Sequence, residues 1–123
     1  MQSLRVLVID DSPFVYKAMK RAVEAHGHSV IGHAENGMTG LELISQLKPD
    51  IITLDVTMPI MDGLQVLQRL DHEKIDKVIM ISAMGDMELL KQAKEYGVRF
   101  FLNKPFQPED VIHAINEILT RER

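Results

Sequence analysis

Five short apolar runs, each followed by a longer segment with apolar residues every three or four positions, constrain this chain more than any other feature of its 123 residues. Such alternation belongs to α/β architecture, where each run is a strand and each following segment a covering helix. The runs fall at Leu4 to Ile9, Ser29 to Ala34, Ile51 to Leu54, Lys77 to Ile81 and Arg99 to Leu102. "LRVLVI" and "KVIMI" are almost continuously apolar, which predicts strands covered on both faces and hence a parallel sheet.

The intervening segments carry helix signals. In the first, Phe14, Val15, Ala18, Met19, Ala22 and Val23 make one apolar stripe, Ser12 is the N-cap, Pro13 takes the first helical position and Gly27 is the stop. A second helix follows Asn36-Gly37 and runs to about Lys48, a third covers Leu64 to Leu70, and a fourth covers Asp86 to Tyr96, burying Leu90 and Ala93 before Gly97. The last opens on Pro108-Glu109-Asp110 and closes with Arg121 and Arg123, acids and bases placed to suit the helix dipole.

Composition limits what such a fold can do. A hydrophobic content of 46% over this length fits one compact domain, residues 1–123, and no linker, repeat or second effector domain is expected. A net charge of −4 leaves no basic patch for nucleic acid. The chain has no cysteine, which removes disulfide and thiol chemistry. The apolar part of "MQSLRVLVID" is too short for a signal peptide or membrane span, so a soluble cytoplasmic protein is the expectation. A monomer is expected as well.

The chemistry gathers at the ends of the runs. In an open parallel sheet, ligands collect beyond the carboxyl ends of the strands. Asp10 and Asp11 follow the first run, Asp55 the third, Ser82 the fourth, and Lys104 lies just past the fifth. In a doubly wound sheet whose first and third strands are neighbours, three carboxylates would converge, and they must share protons or hold a cation. A hard divalent ion such as Mg²⁺ takes carboxylate and phosphoryl oxygens together. Lys104 would be a point charge on a phosphoryl oxygen and Ser82 a hydroxyl donor to another, while one aspartate could itself be a nucleophile.

Each feature has a plainer explanation when taken alone. "DDSP" before a helix is ordinarily capping, "MDG" is most often a turn in which Asp62 has no chemistry, and an isolated lysine is usually solvated. Their common placement reverses those odds. His26, His28 and His33 surround the second strand without the convergence that ligation needs, and are expected at the surface. The eight methionines are mostly core, with Met84 and Met87 beside the fourth strand end as candidates for a partner surface.

At these residues the chain resembles the receiver domains of two-component response regulators, most closely those of the stand-alone chemotaxis CheY type. The marks are "VIDDS", "LDVTMPIMDG", "ISA" and "FFLNKPF", in that order along nearly the whole chain. The resemblance implies a flavodoxin-like (βα)5 fold with a parallel five-stranded sheet of order 2-1-3-4-5. It implies Mg²⁺ held by Asp11, Asp55 and the Thr57 carbonyl, with Asp10 acting through water, and phosphate accepted on Asp55 from a histidine kinase. It also implies Ser82 as the switch hydroxyl, Lys104 as the phosphate-side lysine and a cis peptide before Pro105. Such a protein is a phosphoacceptor that takes part in its own phosphorylation and dephosphorylation, and is not otherwise an enzyme. Its output partner would be another protein, with a flagellar motor switch the chemotaxis case and a phosphorelay the alternative.

Two positions narrow the match: Phe101 stands where many relatives carry tyrosine or another aromatic, without a phenolic hydroxyl, and Ser82 replaces the commoner threonine. The expected output face is the fourth helix, fifth strand and last helix, near Met84, Met87, Tyr96 and Phe101. Competing classes fit less well. An aspartyl phosphohydrolase would carry D-x-D and a cap after the first strand, where this chain has "DDS", and an FMN site would call on more than 5% aromatics.

Overall fold

The computed structural model of the chain describes residues 3–121, so Arg123 lies outside the described residues. Strands β1 (Arg5–Ile9), β2 (Ser29–Ala34), β3 (Ile51–Asp55), β4 (Val78–Ser82) and β5 (Phe100–Asn103) form one sheet in the order β2-β1-β3-β4-β5, every pair parallel. That is the expected doubly wound arrangement.

Strand alternation sorts the core into two layers. Leu7, Ile9, Ile52, Leu54 and Met80 face one way, toward α2 (Gly37–Leu47), α3 (Gly63–Leu67) and α5 (Met87–Glu95). Val6, Val8, Ile51, Ile79 and Ile81 face the other, against Met19 and Val23 of α1 (Pro13–Ala25) and Ile115 and Ile118 of α6 (Pro108–Arg121). All of these strand side chains are buried, as a sheet covered on both faces requires.

Several boundaries differ from the sequence expectation. The third, fourth and fifth strands each run one residue further, so Asp55, Ser82 and Asn103 end strands instead of following them. Parallel pairing of Asp55 with Ile81 and of Ser82 with Asn103 extends the ladder through them.

The third helix is shorter than expected, because Arg69 and Leu70 donate back three residues to Val66 and Leu67 and tighten the chain out of α geometry. Asp71 then accepts from the Lys74 amide and starts a separate turn, α4 (His72–Ile75), which the apolar pattern does not announce. Asp86 does not cap α5; its carboxylate takes the Ala83 amide instead.

In α1, Met19, Ala22 and Val23 are buried, but Phe14 is 84% exposed and Ala18 is also exposed. At ~100° per residue, Phe14 lies roughly 140° around the helix from Met19, off the buried face. Val15 stands one turn before Met19 and carries the stripe instead.

Candidate functional site

Adjacent strands bring the acids together. Ile9 pairs with Leu54, so Asp10 and Asp55, next along their strands, emerge side by side at the carboxyl edge. Single oxygens of Asp10, Asp11 and Asp55 all lie within 4.8 Å of one another, and these are the residues with metal-ligand spacing among those described. Asp10 and Asp55 are buried, while Asp11 is exposed.

Lys104 enters from the loop after β5, where its amide donates to the Ser82 carbonyl at 2.7 Å and its bond to Pro105 is cis. Its Nζ stands 3.2 Å from Asp55 Oδ2 and 3.4 Å from Asp10 Oδ2. Burial would pull the ammonium down, but the charges of Asp10 and Asp55 outweigh it and hold Lys104 above the usual lysine range.

One cation does not balance two buried carboxylates. Burial, with the charge of Asp10, pushes Asp55 up to about 6 against the pull of Lys104. Burial also raises Asp10, although the Ser12 amide and Lys104 oppose it. Asp10 Oδ1 accepts the Ser12 amide at 2.8 Å, but Oδ2 has no hydrogen-bond partner. Its contact with Lys104 is therefore ionic, without hydrogen-bond geometry.

An orphaned buried oxygen inside a ring of three carboxylates fits a second cation, and an all-oxygen donor set suits a hard ion such as Mg²⁺. Thr57 is exposed just beyond the end of β3.

Ser82 is fully buried at the end of β4, and its hydroxyl donates to Asn103 Oδ1 at 3.1 Å. Phe101 is half-buried against the layer that includes Met80, with Lys94 Nζ 5.5 Å from its ring centroid. Met84 and Met87 are 100% and 80% exposed beyond β4.

Three contributors are absent from the sequence expectation. Gly63 is the first residue of α3, and a Cβ there would collide with the Asp55 carbonyl oxygen, so "MDG" is a close approach to the acid's backbone as well as a turn. Asp62 caps α3 in a reciprocal box with Gln65. Asn103 holds Ser82, as above. His33 is half-buried, with Nε2 2.9 Å from the Asp10 carbonyl oxygen, and His28 is buried with Nδ1 accepting the Leu4 amide, so neither is the surface histidine expected. Two of these left a usable signal: Gly63, a glycine eight residues after the strand-end acid, and Asp62, three residues before Gln65 in capping-box spacing.

A model of the response regulator receiver domain matches residues 6–116. The chain belongs to that family. It is 39% identical over 117 residues to the chemotaxis protein CheY of Thermotoga maritima, covering 93% of this chain and 96% of that protein. Against CheY of Bacillus subtilis it is 37% identical over 118 residues, covering 94% and 97%. Among solved structures, a CheX-CheY-BeF3-Mg²⁺ complex from Borrelia burgdorferi matches with a TM-score of 0.84 at 32% identity, covering 94% of this chain and 89% of that one. In this receiver the acidic cluster and Lys104 stand together at the carboxyl edge of the sheet. No helix among the described residues is long and apolar enough to cross a membrane.

Proposed function

We propose that this receiver accepts a phosphoryl group on Asp55 from a histidine kinase and thereby switches its affinity for a partner protein, in the manner of a CheY-type chemotaxis regulator. The observation that carries this is the Asp55 carboxylate, buried at a strand tip between an acid pair and Lys104. In the transfer an Asp55 oxygen attacks phosphorus, the bond from phosphorus to the donor nitrogen breaks, and the donor imidazole leaves with the electron pair.

Asp11, Asp55 and the Thr57 carbonyl would hold Mg²⁺ directly, with Asp10 through water. The ion supplies charge neutralisation for the phosphoryl oxygens. Lys104 is positioned to exchange its contact with Asp55 for one with phosphate, and Ser82 to donate a second hydrogen bond. Asp55 stays ionised above about pH 6, so it is a competent nucleophile at neutral pH.

The partner surface we assign is the face of α5, β5 and α6, where Met84 and Met87 stand free and Phe101 is only half-buried. A flagellar motor switch protein is the partner we favour, since the CheY relatives match over almost their whole length.

Acetyl phosphate with Mg²⁺ tests the chemistry. One base-labile adduct is expected by mass spectrometry, lost in Asp55→Asn and nearly absent without Mg²⁺. Full labelling of Asp55→Asn would show the acceptor to be another residue. Lys104→Ala should label and still bind Mg²⁺, yet lose phosphorylation-dependent partner binding.

A further inference from the structure

The acid pair at the end of β1 is held from a direction that the phosphorylation chemistry does not use. β2 pairs with β1 on the side away from Asp55, and its last two residues both reach Asp10. Ala34 accepts the Asp10 amide at 2.9 Å, and His33 Nε2 lies 2.9 Å from the Asp10 carbonyl oxygen. A carbonyl can only accept, so Nε2 must carry the hydrogen. The imidazole is held flat by Tyr16 of α1, the ring centroids 4.0 Å apart and the planes inclined by 4°.

We infer that His33, oriented by its stack on Tyr16, is a positioning residue for the metal site: its donated hydrogen bond fixes the Asp10–Asp11 peptide and so aims the Asp11 carboxylate.

The peptide unit is planar, so fixing the Asp10 carbonyl fixes the plane from which Asp11 departs. Asp11 itself is exposed, and among the described residues no hydrogen bond or ion pair orients its carboxylate. Asp10 has its amide, its carbonyl and its Oδ1 each held by a different partner, Ala34, His33 and Ser12, which leaves only Oδ2 facing Asp55 and Lys104. Three restraints on one residue specify the loop far more tightly than capping of α1 requires. Outer groups that orient ligands typically carry 10–100-fold in metal affinity, and a group acting through the backbone belongs near the lower end, at about tenfold.

This inference rests on the proposed Mg²⁺ site, and the test separates the two. Mg²⁺ affinity is measured by calorimetry on the whole chain for the parent, His33→Phe and His33→Gln. Phenylalanine keeps a ring to stack on Tyr16 but has no donor, whereas a glutamine amide can place a nitrogen donor near the Nε2 position. The expected result is about tenfold weaker Mg²⁺ binding in His33→Phe, with substantial recovery in His33→Gln, and no comparable pattern in metal-free urea stability. Ring-nitrogen NMR of the metal-free parent should show His33 as the Nε2-protonated tautomer. Equal Mg²⁺ affinity in His33→Phe and parent overturns the inference, as does the Nδ1-protonated tautomer. Failure of the parent itself to bind Mg²⁺ would overturn the metal site, and the inference with it.

Discussion

Ser82 donates its hydroxyl hydrogen to Asn103 across the paired ends of β4 and β5, at 3.1 Å, inside a fully buried strand end. A hydroxyl has one hydrogen to give, so donation to a phosphoryl group on Asp55 must break this bond. On the proposed function, Asn103 would act as a brake on the switch. A net intramolecular hydrogen bond is worth about 1 kcal/mol, or roughly fivefold in an equilibrium. Asn103→Ala should raise partner affinity of the unphosphorylated protein by about that factor, measured by calorimetry against the purified partner. Unchanged basal affinity would mean that Ser82 finds another acceptor of equal quality.

The raised carboxyls make a pH prediction for the metal-free protein. Asp55 moves from 3.8 to about 6 on folding, so between these values the folded chain binds a proton that the unfolded chain does not. Stability therefore rises as pH falls through that window and is lost as pH rises through about 6. Burial of Asp10 works in the same direction. Asp55→Asn should be more stable than the parent at pH 7.5 by about 1–3 kcal/mol, with the difference shrinking toward pH 4. Added Mg²⁺ should stabilise the parent most at the high end and the asparagine variant little. Superimposable urea curves for the two metal-free proteins at pH 7.5 would contradict the electrostatic account.

Gly63 bears on Asp55 through shape alone. Its Cβ position collides with the Asp55 carbonyl oxygen and lies 3.1 Å from Val56 Cα, both backbone atoms that cannot swing aside. Gly63→Ala should cost about 2–3 kcal/mol, in the range of overpacked cores, and should slow labelling of Asp55 by acetyl phosphate even under conditions where the variant is folded. Gly27→Ala is the control. Its Cβ meets nothing, but its φ of +85° strains any side chain. That change should cost about 1 kcal/mol and leave labelling intact.

The strands were legible because they depend on local pattern, while the sheet order, and with it the convergence of the acids, came from the family resemblance that the motifs carry. What escaped was set by tertiary register. Asn103 and Ser82 meet only because β4 and β5 pair in one particular alignment, and no spacing along the chain announces it. His33 reads as a polar residue in an edge strand until β2 is laid beside β1 and its ring reaches the Asp10 carbonyl. Phe14 misled for a different reason, since an apolar residue in a first turn matches a stripe by composition while its angle places it outside.

Ile60 sits in the loop between Asp55 and α3 with φ of 70°, a left-handed conformation that a β-branched side chain rarely adopts. The same side chain is 74% exposed, so little packing offsets the strain. Left-handed backbone costs an L-residue about 1–2 kcal/mol, and glycine escapes it while losing about 0.5–1 kcal/mol through greater freedom when unfolded. Ile60→Gly should therefore stabilise the chain by up to about 1 kcal/mol, a rise of roughly 3–6 °C in Tm for a domain of this size. Ile60→Val keeps the branch at Cβ and should show no gain. Neither change touches the acidic cluster, so labelling of Asp55 by acetyl phosphate should persist in both. A lower Tm for Ile60→Gly than for the parent would show that the exposed side chain holds the loop by contacts stronger than the strain it carries.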